Sequence, residues 1–212
     1  MPKLSPATNP ARQRIVAGAR RHFFAHGFRG VTMDDVAGEL GMSKKTLYAH
    51  FPGKADLLRA VILDKFAGME ADFARRLAGR SRDFLATLHE LLARLHQETE
   101  EIQPPFLRDV RRESPEVFQL VESRRRQVIQ RWFGRIFSEG RKAGVVRADI
   151  PTKLMIEVLL GAVQAIMNPT RLAELGLTPK TGFAIILNVV LEGVLTRSGK
   201  SSTLLPKARI SS

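Results

Sequence analysis

Residues 32–54 read TMDDVAGELGMSKKTLYAHFPGK. Two short helices are expected here, over 33–40 and 44–50. Thr32 stands before the first as a cap, and Asp34 and Asp35 suit the positive end of a helix. Gly41 breaks the first helix and permits a tight turn. Ser43 caps the second, and Pro52-Gly53 ends it. Val36, Ala37, Leu40, Met42, Leu47 and Phe51 are the apolar anchors. Ala37 is small, so the second helix can approach closely. This is the grammar of a helix-turn-helix, with the motif at about 33–52 and its second helix placed to enter a DNA major groove. Lys44, Lys45, Thr46, Tyr48, Ala49 and His50 point outward, as donors and small side chains fit for phosphates and base edges.

Outward from this stretch the chain reads as helix almost throughout, because apolar residues recur at three and four. A first helix is expected over 12–26, with Ile15, Ala19, His22 and Phe23 inward and Gly27 as its end. Residues 1–11 read as a flexible arm. A long helix over 54–77 would measure about 36 Å. A break at 79–82 precedes helices at 83–101, 105–112, 115–140, 151–167 and 179–196. The Ser/Lys-rich tail from 198 to 212 reads as mobile. The expected architecture is therefore all-α: an N-terminal three-helix DNA-binding domain over 12–60, then a larger helical bundle over 61–197.

Charge agrees with a polyanionic partner. Thirty-four Lys and Arg face 21 Asp and Glu, a formal net charge of +13 in 212 residues. Residues 1–54 hold nine of the bases and three of the acids, which makes this end the denser. There is no cysteine. Disulfide scaffolds, thiolate zinc sites and cysteine nucleophiles are excluded, and a reducing cytoplasm fits. The most apolar stretches, 154–167 and 183–195, are short and contain Glu157 and Glu192, so no membrane span is expected. His89, His96 and Glu100 share a helical stripe, but the histidines would lie about 10.5 Å apart along the axis, too far to share a metal ion. No phosphate loop, nucleophile elbow or zinc-protease motif is present. No enzyme, cofactor or metal is expected.

Phe23-Phe24, Gly27-Phe28, Gly30, Thr32, Val36-Ala37, Leu40-Gly41, Ser43, Thr46-Leu47-Tyr48, His50-Phe51 and Lys54 together resemble the DNA-binding domain of the TetR family of bacterial transcriptional regulators. The resemblance spans about residues 12–60 without a gap. It implies that Thr32 and Met33, at the start of a helix, bind a phosphate through the Thr32 hydroxyl and the helix amides. It implies that Tyr48 and Lys54 clamp the DNA backbone. Ser43, Lys44, Lys45 and Thr46 would reach base edges or phosphates, with Ala49 and His50 close to the groove. Lys45 stands where many members carry a small residue such as glycine, so an operator preference cannot be borrowed.

For the remainder, the resemblance implies an effector-binding and dimerisation domain. Helices 151–167 and 179–196 are apolar nearly all round, so a partner subunit is the natural cover for one side. A two-fold homodimer would suit a palindromic double-stranded operator. Phe66, Met69, Phe73, Leu88, Leu92, Phe106, Val110 and Phe118 are candidate walls of a pocket for a small apolar or anionic effector, with Trp132 and Arg125 on the adjoining stripe. The same residues would serve any core, and Arg125 could equally snorkel or pair with Glu122. The expected function is a repressor released by that effector. An activator or effector-independent regulator of the same fold, and a basic membrane-surface or lipid-carrying helical protein, are the alternatives.

Overall fold

The computed structural model describes residues 9–78 and 104–196, and between them 84, 87, 88, 90, 91, 94, 97 and 98. The expectations for the arm at 1–8, the break at 79–82, Leu92, His89, His96, Glu100 and the tail at 198–212 lie outside the described residues. The described chain is all-α, with one isolated antiparallel bridge between Val146 and Leu195. The helices are α1 (Pro10–Gly30), α2 (Met33–Glu39), α3 (Lys44–His50), α4 (Lys54–Ala78), α5 (Pro104–Glu113), α6 (Pro115–Val128), α7 (Gly134–Lys142), α8 (Thr152–Ile166), α9 (Pro169–Glu174) and α10 (Pro179–Val194).

The chain forms two compact units, and they are not consecutive in sequence. The first joins residues 1–69 to 101–123, and the second joins 70–100 to 124–212. A boundary near 60 was expected. The physical reason for the difference is α5. Phe106 and Val110 are fully buried in the same core as Phe23, Phe24 and Phe28, and the Phe106 ring meets Phe24 edge-on at 4.9 Å. Polar ties reinforce this seam. The backbone N–H of Arg29 donates to Asp109 at 3.1 Å, and the Arg29 guanidinium lies 3.5 Å from Glu113.

In the first unit, local signals explain each element. Asn9 caps α1 by accepting from the N–H groups of Ala11 and Arg12, with Pro10 in the first turn. That cap starts the helix two residues before the expected position. Gly27 interrupts α1 with φ 79° and ψ 162°, a region open essentially only to glycine. The interruption lets Phe28 turn back onto Phe23, ring to ring at 5.5 Å. Thr32 and Asp35 form a capping box at α2: the Asp35 N–H donates to the Thr32 hydroxyl, and the Thr32 N–H donates to the Asp35 carboxylate at 2.8 Å. After Leu40, Gly41 adopts φ 59°. Its N–H donates to Gly38 and that of Met42 to Ala37, the pairing that satisfies the orphan carbonyls at a helix end. Ser43 caps α3 by accepting from the Thr46 N–H. Leu47 and Phe51 then bury against Ile15, Ala19 and Leu57 in one core.

The Thr32 bonds hold the Asp35 carboxyl below its ordinary pKa, with smaller help from the nearby Lys54 ammonium. A depressed carboxylate stabilises the fold above its unfolded pKa, and the contribution is lost as pH falls through the folded value. Thr32→Val should therefore raise the Asp35 titration midpoint toward that of a free aspartate, as followed by carboxyl NMR shifts. An unchanged midpoint would mean the capping box does not persist in solution.

In the second unit, the expected single helix over 115–140 is corrected. The chain is α-helical to Val128, π-helical over Ile129–Phe133, and α-helical again from Gly134. The wider turn carries an extra residue, which rotates the later side chains. Ile129, Trp132, Phe133, Ile136 and Phe137 are all buried as a result. Phe133 and Phe137 thus join the stripe read from the sequence. The short helix α9 was not expected; Asn168 caps it by accepting from the Arg171 N–H at 2.9 Å. α10 buries Phe183, Ile186, Leu187, Val190, Leu191 and Val194. Its Val189 is 68% exposed, and Leu154 and Val158 of α8 are 52% and 54% exposed. Within the chain, then, neither helix is covered on every side.

Candidate nucleic-acid interface

The α2–turn–α3 unit is a small rigid platform. Its underside is the core described above, and its outer face is the set of side chains left over. α1 braces it. The Arg14 guanidinium donates to the Leu40 carbonyl at 2.5 Å, at the end of α2 where the helix presents unsatisfied oxygens. Arg21 reaches Glu39 at 3.5 Å, and His22 lies against the same carboxylate. Arg12 stacks over the Phe51 ring at 4.6 Å. Sequence reasoning counted Arg12, Arg14 and Arg21 only toward the charge of this end and placed His22 on the inward face of the first helix. Arg14 and Leu40 are 26 residues apart, so no local spacing announces their bond.

The ten residues expected at DNA fall into distinct situations. Met33 is a correction: its side chain is 8% exposed and belongs to the core, so only its backbone faces the start of α2. The first residue of a short helix can point either way, and here Val31 and Met33 both turn inward. Thr32 is exposed, but its hydroxyl also donates to Asp35 at 2.7 Å. Ser43 and Thr46 share a hydroxyl–hydroxyl bond of 2.8 Å. The Lys44 ammonium is held by Asp34 at 2.5 Å, and that bond and charge raise its pKa. Lys54 lies 4.3 Å from the centre of the Phe28 ring. Burial lowers its pKa, against the opposing charges of Glu113, Asp109 and Asp35. Lys45, Tyr48 and Ala49 are exposed, Tyr48 by 46%, and His50 is half-buried at the end of α3.

The expected pocket residues divide between the two units by membership. Phe106 and Val110 are core of the first unit, with Phe66 and Phe118 packed against that core. Met69 is buried at the edge of the same unit. Phe73, Leu88 and Trp132 are buried in the second unit, where the Phe73 and Trp132 rings meet edge-on at 5.7 Å. Arg125 is half-buried there. Sequence reasoning missed a charged group in this unit: Arg94 binds Asp72 at 3.0 Å and also the buried Glu98. Among the described residues, no cluster of three or more His, Asp or Glu side chains could hold a metal ion. No helix of the described residues is long and apolar enough to cross a membrane.

Residues 15–61 match the family described as bacterial regulatory proteins, tetR family. The chain is 32% identical over 94 residues to the uncharacterized HTH-type transcriptional regulator TtgW of Pseudomonas putida, covering 44% of this chain and 69% of that one. It is 27% identical over 190 residues to the regulator SrpR of Pseudomonas putida, covering 89% and 85%. A TetR-family regulator structure from Marinobacter aquaeolei superposes with a TM-score of 0.68 at 19% identity, covering 92% and 95%. That likeness shows the fold. The chain belongs to the tetR family of bacterial regulatory proteins: it is a DNA-binding transcriptional regulator, not an enzyme.

Proposed function

We propose that the protein acts in the cytoplasm as a homodimer that lays two copies of α3 in successive major grooves of a palindromic operator, about 34–36 Å apart. The observation that carries this reading is the outer face of α3. Lys45, Tyr48 and Ala49 are exposed while Leu47 anchors the same helix at zero exposure. Ser43, Lys44, Thr46 and His50 complete the groove-facing set, and Thr32 and Lys54 flank it toward the phosphates. The exposed Leu154, Val158 and Val189 support a partner subunit over α8 and α10. The protein acts as a repressor that a small apolar or anionic molecule releases. The Trp132 indole N–H supports a ligand in the second unit: it is buried and has no hydrogen-bond partner among the described residues, a situation native cores rarely leave unresolved. Such a ligand would lower DNA affinity by binding better to a conformation with misplaced recognition helices.

Selection of bound duplexes from a random pool at about 0.15 M salt, where non-specific phosphate binding is weakened, tests the reading. The expected result is an enriched two-fold palindrome, lost when Lys44, Lys45 and Tyr48 are all changed to Ala. No enrichment, together with binding to anionic vesicles that survives those changes, would overturn it in favour of a membrane-surface protein. The selected duplex then serves as the probe for ligands that release it.

A further inference from the structure

Four cations or hydroxyls of the α2–α3 face are already engaged within the chain. Ser43 and Thr46 bond each other, Lys44 is clamped by Asp34, and the Thr32 hydroxyl is committed to Asp35. Lys45 differs from them. It is the second residue of α3, it is exposed, and its ammonium has no partner among the described residues. In a helix-turn-helix the N-terminal residues of the recognition helix are the ones that meet base edges.

We propose that Lys45 is a base-reading donor of this protein, that it reads one guanine in each half-site, and that Asp34 is a positioning residue that keeps Lys44 off the bases. The inference rests on the DNA-binding reading above. The base follows from the chemistry of the ammonium group, which donates only. Guanine alone presents two adjacent acceptors, N7 and O6, in the major groove. Adenine pairs its acceptor with an amino donor, and thymine sets a methyl group beside its single acceptor. A flexible lysine aimed at bases therefore discriminates for guanine. Two such lysines side by side would blur the reading, since either could take the same acceptors. The Asp34–Lys44 ion pair, exposed on both sides, biases one of them away from the bases. It also places a negative charge at the rim of the face, which penalises contact with arbitrary duplex phosphates.

Duplex selection with the full-length chain, in parallel for the unaltered protein and Lys45→Ala, Lys45→Arg, Lys44→Ala and Asp34→Asn, tests this directly. Lys45→Ala should abolish the guanine preference at one position per half-site, a loss of about 5- to 150-fold in discrimination, while the rest of the palindrome persists. Lys45→Arg should retain guanine. Lys44→Ala should weaken all sequences alike and lower the salt slope by about one. Asp34→Asn should raise affinity for random duplex when Lys44 is present, and by markedly less in the Lys44→Ala background, a coupling that a general charge effect would not show. Retention of the full motif by Lys45→Ala overturns the proposal, as does loss of guanine preference in Lys44→Ala. An Asp34→Asn effect of equal size in both backgrounds overturns the role of Asp34. A pool left unenriched by the unaltered protein overturns the DNA-binding reading itself, so the two failures are distinguishable.

Discussion

Phe106→Ala should cost the first unit about 3–5 kcal/mol, most of the margin by which a domain of this size is stable. Phe106 lies far from α3 in sequence and carries no polar group. Yet it is fully buried, and its ring meets Phe24 of α1 edge-on. Removing it opens a cavity in the core that also seats Leu47 and Phe51. Operator affinity should fall with stability, although no DNA-facing side chain is altered. Urea unfolding can resolve the two units, because Trp132 is the chain's single tryptophan and belongs to the second unit. Far-ultraviolet circular dichroism should show the loss in the first unit, with the tryptophan signal shifted less. Phe106→Leu should recover most of the stability. A loss under about 1 kcal/mol for Phe106→Ala would mean that α5 is not integral to the DNA-binding unit.

Gly140→Ala should do comparable damage to the second unit by the opposite route, overpacking. An added Cβ would collide with two ring carbons of Phe84 and stand 2.7 Å from a methyl of Val146. Neither neighbour can give way cheaply. Phe84 is a buried ring. Val146 is held by its bridge to Leu195, with Arg147 N–H donating to Val194 and Thr196 N–H donating to Val145. Forcing a methyl group into a filled core typically costs 1–3 kcal/mol, and clashes on two sides place this change at about 3 kcal/mol. The tryptophan transition should now shift to lower denaturant, and the dimer proposed above should weaken because α10 runs directly into the strained bridge. A wild-type transition would show that Phe84 has room to swing aside.

The elements around α3 were legible because their signals are local. Thr32, Gly41 and Ser43 each act within three residues of their own position, so spacing alone reveals the caps and the turn. What was not legible depended on distant partners. Phe106 and Phe73 look alike in sequence, yet one fills the DNA-binding unit and the other meets Trp132 in the second unit. Which α1 face would accept α5 is not written in either helix alone: Phe23 and Phe24 are adjacent, and both are buried. The π turn at Ile129–Phe133 escaped for a related reason. A helical stripe is read by assuming 3.6 residues per turn, and burial of Trp132 and Phe133 together breaks that assumption. At the interface, residue types were readable but engagement was not. Asp34 and Lys44 are ten residues apart across a turn, so only the fold shows that one of two neighbouring lysines is occupied.

The split course of the first unit has a consequence during synthesis. When residue 61 leaves the ribosome, α1 to α3 are complete, but the wall supplied by residues 101–123 does not yet exist. At roughly 5–20 residues per second, that wall arrives about 3–12 s later. Until then, Phe24 and its neighbours face solvent or a chaperone. The nascent head therefore cannot mature before the second unit is partly made. For the same reason, a graft of residues 1–60 onto a foreign regulator would inherit an unroofed core, whereas a graft that also carries residues 101–123 would not.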